Sequence, residues 1–138
     1  MKKDIMKEKA AQAFRCYARL SLHNCNSALR VLCRIRGICG ERVALDMLAV
    51  FDTLRLLELS GDALALRAVR EIYFATAKKK IRANEITLRV RRLAYEEHCD
   101  DRTIYRHLEK SRRVWYHVRS QEKEQTAGER SLLTKLIT

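Results

Sequence analysis

The 138-residue chain contains no proline and only four glycines. Sandwiches and barrels made of β-strands need many tight turns, and those turns draw on glycine and proline, so this composition argues against both. No glycine-rich stretch follows a candidate strand, which removes the phosphate-cradling loop of nucleotide-binding α/β folds. Apolar runs are short and broken by arginine, and none reads as a bilayer span, so no membrane partner is expected. The opening MKKDIMKEKAAQ is charged and has no apolar core behind it, as expected of a cytoplasmic chain. Cys16, Cys25, Cys33, Cys39 and Cys99 are odd in number and contain no C-x-x-C pair, so reduced thiols are expected. Their spacings, even with His23 added, match no familiar zinc module. No Ser/His/Asp or Cys/His set can be assembled from spacing. The expectation is therefore a non-enzymatic protein with no metal and no cofactor.

What the chain does have is leucine and positive charge. Apolar residues make up 47% of it, enough for a core, and 29 Lys and Arg against 17 Asp and Glu leave a net charge of +12. An excess of this size suits an anionic partner, nucleic acid above all. Its distribution is uneven. Residues 1–40 carry nine basic and two acidic side chains, residues 41–77 four and six, residues 78–119 thirteen and six, and residues 120–138 three of each. Two basic segments thus flank a leucine-rich, nearly neutral middle.

Helical periodicity runs through most of the chain, and the fold class expected is all-α. Residues 3–36 are helix-prone, with a split near His23–Ser27 and a cap at Asn26 or Ser27. Phe14, Tyr17, Ala18 and Ser21 share one face, as do Leu29, Leu32 and Ile35. Residues 41–60 are apolar over most of a helix circumference. Val43, Met47, Val50, Leu54 and Leu57 form a stripe that Leu45, Leu48, Phe51, Leu56 and Leu59 widen. Such a helix is central to a monomer or buried against a second copy, and 41–60 is the natural element for a homodimer. Asp62 caps a helix to about Thr76, with Leu66, Val69, Ile72 and Tyr73 inward.

Lys78, Lys79 and Lys80 read as a connector. Asn84 then caps a helix over 85–97 with Ile86, Val90, Leu93 and Ala94 inward. After a short turn, Asp100 caps a final helix over about 101–118. Its seam is Ile104, Leu108, Ser111, Trp115 and Val118, spaced by 4, 3, 4 and 3 residues. Two helices joined this way have the pattern of a helix-turn-helix. The implied organisation is a helical, oligomerising part over 1–77, a DNA-binding helix-turn-helix over 78–119, and a flexible tail over 120–138 ending in an apolar patch, Leu132, Leu133, Leu136 and Ile137.

The stretch CDDRTIYRHLEKSRRVW resembles the C-terminal helix-turn-helix of sigma factors, and more closely the sigma-like regulators of late or lytic transcription in phages of Gram-positive hosts. The resemblance rests on Asp100, Asp101, Arg102, Thr103, Ile104, Tyr105 and Arg106 and covers about residues 78–118. Glu97 stands where such motifs place an apolar residue, and His98 where glycine or asparagine is preferred. The resemblance implies a regulator encoded by a phage or mobile element that binds double-stranded DNA and contacts RNA polymerase or another host protein.

The residues support that reading on their own chemistry. Opposite the apolar seam, Arg102, Tyr105, Arg106 and Glu109 lie at the start of the helix that enters a major groove, where arginine pairs with guanine and carboxylate accepts from cytosine. Lys110, Arg112 and Arg113 further along, with Arg89 and Arg92 on the preceding helix and Lys78–Lys80 before it, suit phosphates. A solvated charged face, with Glu109 and Arg113 paired one turn apart for about 0.3–0.5 kcal/mol, is the plainer alternative. Asp100 and Asp101 read as capping groups rather than metal ligands. Trp115 reads as core rather than as a base-stacking platform. The competing function is a protein-binding inhibitor or adaptor of a nucleoprotein machine, such as an anti-CRISPR protein, that reuses the same helical pair.

Overall fold

Residues 2–77 and 80–123 are described by a computed structural model, and no strand occurs among them. Helix α1 spans Lys2–Arg19, a 3-10 turn covers Leu22–Asn24, and α2 spans Ala28–Ile35. Helix α3 is Glu41–Leu59, and α4 is Ala63–Ala68, continuing as a π-helical stretch over Val69–Phe74. Helix α5 is Glu85–Glu96, and α6 is Asp101–Lys123. No helix among the described residues is long and apolar enough to cross a membrane.

Local signals in the sequence account for most of these boundaries. The first helix-prone stretch breaks where Ser21 adopts a left-handed conformation, φ 58°. The second restarts at Ser27, whose hydroxyl accepts from the Arg30 N–H at 3.2 Å. Helix α3 ends in a Schellman turn. Gly61, at φ 76°, supplies the left-handed residue, and the Asp62 N–H reaches back to the Leu57 carbonyl at 2.9 Å. Asp62 immediately becomes the next N-cap, its carboxylate accepting from the Ala65 N–H at 3.1 Å. Asn84 holds the N-cap position of α5 without a side-chain cap hydrogen bond.

The helix expected over 62–76 changes pitch in its second half. The Ala75 N–H bonds to the Arg70 carbonyl five residues back, at 3.0 Å, and the buried Thr76 hydroxyl donates to the Ile72 carbonyl at 2.6 Å. Val69, Ile72 and Tyr73 are buried as expected, while Leu66 is only partly covered. A single widened turn leaves the apolar spacing almost unaltered, so periodicity carries no sign of it.

Helix α3 is the centre of the molecule. It packs against α1, α2, α4 and α6, and Met47, Leu48, Ala49, Val50 and Leu57 are buried. Its apolar circumference is thus largely covered within one chain. Val43, Leu56 and Leu59 depart from the sequence expectation: they are exposed, Leu59 at 77%, because they lie in the first and last turns, where the neighbouring helices cover α3 incompletely. Leu29, at the start of the short α2, is exposed as well.

Helix α6 lies antiparallel across α3. Asp46, early in α3, meets Trp115 and Arg119, whereas Leu56 and Leu57, late in α3, flank His107 and Lys110. Ile104, Leu108, Ser111, Trp115 and Val118 are all buried, so the seam read from spacing is the face that packs. The Trp115 indole N–H donates to the Asp46 carbonyl at 3.1 Å, and its ring meets Tyr116 edge-on with centroids 5.1 Å apart. One continuous core draws residues from all six helices, so the parts read as 1–77 and 78–119 share it. The last helix runs to Lys123, and residues 120–123, read from sequence as the start of the tail, are helical. The apolar patch at Leu132, Leu133, Leu136 and Ile137 lies outside the described residues.

Truncation of Trp115 removes the largest fully buried side chain and its hydrogen bond to the Asp46 carbonyl. Trp115→Ala is expected to lower the unfolding free energy by about 3–5 kcal/mol, measured by chemical denaturation.

Candidate nucleic-acid interface

The turn between α5 and α6 is built from backbone hydrogen bonds. The Cys99 N–H bonds to the Ala94 carbonyl at 3.0 Å and the His98 N–H to the Tyr95 carbonyl at 3.3 Å, with His98 left-handed at φ 55°. This is a second Schellman turn, with histidine where glycine is usual. Ala94 is buried, and Cys99 packs onto the core as a small plug. Asp100 then caps α6, its Oδ1 accepting from the Thr103 N–H at 2.9 Å and from the Thr103 hydroxyl at 2.8 Å. Those bonds hold the Asp100 carboxyl below its ordinary pKa, with the nearby Arg102 and Arg106 charges adding to the effect. Asp101 sits 3.6 Å from the Arg91 guanidinium, and Glu96 and Glu97 both reach Arg67 on α4. The acidic residues at this corner therefore each have a structural partner.

With the seam buried, the outer face of α6 presents Arg102, Tyr105, Arg106, Glu109 and Arg113, all exposed, Tyr105 at 42%. Arg102 and Arg106 have no ion-pair or hydrogen-bonding partner among the described residues. Arg113 lies 3.6 Å from Glu109, a loose pairing one turn apart on a solvated face. The four residues read as base contacts thus share one open surface near the start of the helix.

The residues read as phosphate contacts divide. Lys80 and Arg92 are exposed, although Arg92 leans on Glu96 at 3.3 Å. Lys78 and Lys79 lie outside the described residues. Arg89 is partly buried and directs Nη1 to the Glu71 carbonyl at 3.4 Å. Lys110 reaches Asp62 on the cap of α4 at 2.5 Å, and Arg112 donates to the Tyr73 hydroxyl at 2.7 Å. Lys110 and Arg112 tie α6 to the preceding helices, so each already has an internal partner, unlike Arg102 and Arg106.

Three of these partners shape the site without any local signal of that role in the sequence. Asp62 reads in the sequence only as a cap, Tyr73 only as a core position and Asp46 as nothing in particular. The Asp62 carboxylate caps α4, binds Lys110 and lies 3.3 Å from Nδ1 of His107. Burial alone would raise its pKa. The hydrogen bonds from Lys110 and the Ala65 N–H, with the His107 and Lys110 charges, outweigh that and hold it below the ordinary carboxyl value. Arg119, 6% exposed, donates from Nε to the Asp46 carboxylate at 2.7 Å. Only long-range partners reveal these roles, and no spacing rule carries them.

Beside the exposed face runs an open cleft of about 760 Å³ between the end of α3 and α6. Leu56, Leu57 and Val114 form its floor, and Arg106, Lys110, Arg113 and His117 its rim.

No protein-family model, no curated protein and no solved structure matches the chain.

The depressed pKa of Asp62 makes its contribution to stability complete above the unfolded-state carboxyl range and lost as pH falls through the lower folded value. Asp62→Asn keeps a cap acceptor but loses the charge. It is expected to cost about 1 kcal/mol at neutral pH. The melting temperatures of wild type and variant should converge only at pH values below the ordinary carboxyl range, as the wild-type carboxylate is itself protonated.

Proposed function

We propose that the chain is a sequence-specific DNA-binding transcriptional regulator, encoded by a phage or mobile element, in which α5 and α6 act as a helix-turn-helix of the sigma-factor type. The observation that carries this reading is the pair of unpartnered guanidinium groups, Arg102 and Arg106, on the open face at the start of α6. An arginine without an internal partner can give two parallel hydrogen bonds to guanine at no cost in broken contacts. Tyr105 and Glu109 complete the reading surface. Lys80, Arg92 and Arg113 hold phosphates, and the net charge of the chain supplies the long-range attraction. One such unit reads few base pairs, so a specific site calls for two copies. Val43, Leu56 and Leu59 are the apolar residues of α3 left for that contact. The enclosed Trp115, and the internal ties of Lys110 and Arg112, set the pitch and rotation at which α6 presents its face.

A second reading, a protein-binding inhibitor or adaptor such as an anti-CRISPR protein, is favoured by the apolar-floored cleft along Leu56, Leu57 and Val114. A groove of this kind suits a partner helix more than a duplex.

The two readings separate cleanly in experiment. Selection from random duplexes should yield a motif bound with log affinity falling against log salt at a slope near −5, for about six phosphate contacts. In fluorescence anisotropy, Arg102→Ala and Arg106→Ala should each weaken that binding by about 5–150-fold. A failure to select any motif, or unchanged affinity in both arginine variants, rejects the DNA reading. Tight binding to a purified host protein that is abolished by Leu56→Glu supports the adaptor.

A further inference from the structure

On the opposite flank of α6 from the apolar-floored cleft lies a second concavity, about 380 Å³ in volume, where α1, the π-helical stretch, α5 and α6 meet. Its walls are apolar, formed by Ile72, Ile86 and Leu108, and three cations surround it: Lys7, Arg15 and Arg112. Glu8 is the one acid on its lining among the described residues. Arg112 is oriented by its hydrogen bond to the Tyr73 hydroxyl, and the Arg15 guanidinium lies over the Tyr73 ring, 5.3 Å from its centroid. Tyr73 is itself stacked on Phe14 at 5.4 Å, so the ring that positions both arginines is fixed in the core.

Arg15 is the unusual member. It is partly buried, and its Nε is shielded from solvent without a hydrogen-bonding partner among the described residues. Burial weakens its hold on its proton more than Tyr73 and Glu8 strengthen it, and Arg19 adds to the weakening. A guanidinium partly desolvated against an apolar wall, facing a ring and a single acid, is only partly compensated, and an oxyanion is the group that completes it, through charge-assisted and bidentate hydrogen bonds. The volume lies within the range of small-molecule sites, and apolar walls with a few convergent polar groups are their usual make-up.

We propose that this cleft binds a small organic anion, a carboxylate or phosphate monoester carried on a flat apolar body, with Arg15 and Arg112 holding the anionic head and Ile72, Ile86 and Leu108 enclosing the body. Duplex binding by the outer face of α6 is not required for such a site.

The full-length chain, without DNA, should be titrated with benzoate and with phenyl phosphate, following methyl resonances of Ile72 and Ile86. Saturable binding of at least one is expected, and the stronger of the two names the head group. Benzyl alcohol, which keeps the ring without the charge, should bind at least about tenfold more weakly. Arg15→Met should weaken the anion by about tenfold or more, and Arg15→Lys should restore part of the loss. Ile86→Trp, which fills the cleft and leaves every cation in place, should abolish binding, and it serves where Arg15→Met does not fold. Absence of saturation by both anions at about 10 mM, equal affinity for benzyl alcohol, or binding that survives Ile86→Trp would overturn the assignment.

Discussion

The packing of α6 across α3 decides which side chains of the last helix face solvent. Five residues at helical spacing bury one face of α6, and the Trp115 indole sinks fully beneath it with its N–H on the Asp46 carbonyl. Asp46 is used twice, because its carboxylate receives the buried Arg119. An indole and a guanidinium held by the two ends of one residue fix both the rotation of α6 about its axis and its slide along α3. Rotation is the quantity that decides which side chains face water. With the seam down, Arg102, Arg106 and Arg113 point outward, and Lys110 and Arg112 fall at the two edges, where they meet Asp62 and Tyr73.

The charge excess is therefore not one undifferentiated surface. Part of it fastens the fold: Arg67 bridges α4 to Glu96 and Glu97, Lys110 bridges α6 to Asp62, and Arg119 bridges α6 to Asp46. Exposed pairs of this kind add little stability individually, while the nearly buried Arg119 pair matters because either partner alone would be left desolvated. Another part is free of internal partners and faces solvent, which is the state a phosphate or a base edge requires. A third part, around Arg15, is turned toward an apolar hollow. The positive charge thus stands in three settings, and the partner of each side chain rather than its identity distinguishes them.

Much of this was legible in advance. The seam Ile104, Leu108, Ser111, Trp115 and Val118, the caps at Ser27, Asp62 and Asp100, and the outward position of Arg102, Tyr105, Arg106 and Glu109 all follow from local rules of spacing and capping. The widened turn at Val69–Phe74 did not, because one extra residue in one turn leaves the apolar pattern intact. The exposure of Val43, Leu56 and Leu59 did not, because periodicity registers which face is apolar but not where along a helix its neighbours stop. His98 stands at a glycine-like position, and the backbone takes the left-handed conformation there with histidine in place.

The sequence by itself determined the all-helical class, the positions of the helices to within a few residues, the inward face of each long helix and the excess of positive charge. These depend on interactions within one or two turns, which a linear pattern encodes. Only the tertiary structure decided which cations remain available. Whether Lys110 is a free ammonium or half of an ion pair depends on Asp62, 48 residues away, and whether Arg112 is free depends on Tyr73, 39 residues away. Contacts between residues so distant in the chain arise from how the helices pack, and that packing is a property of the whole core rather than of any segment.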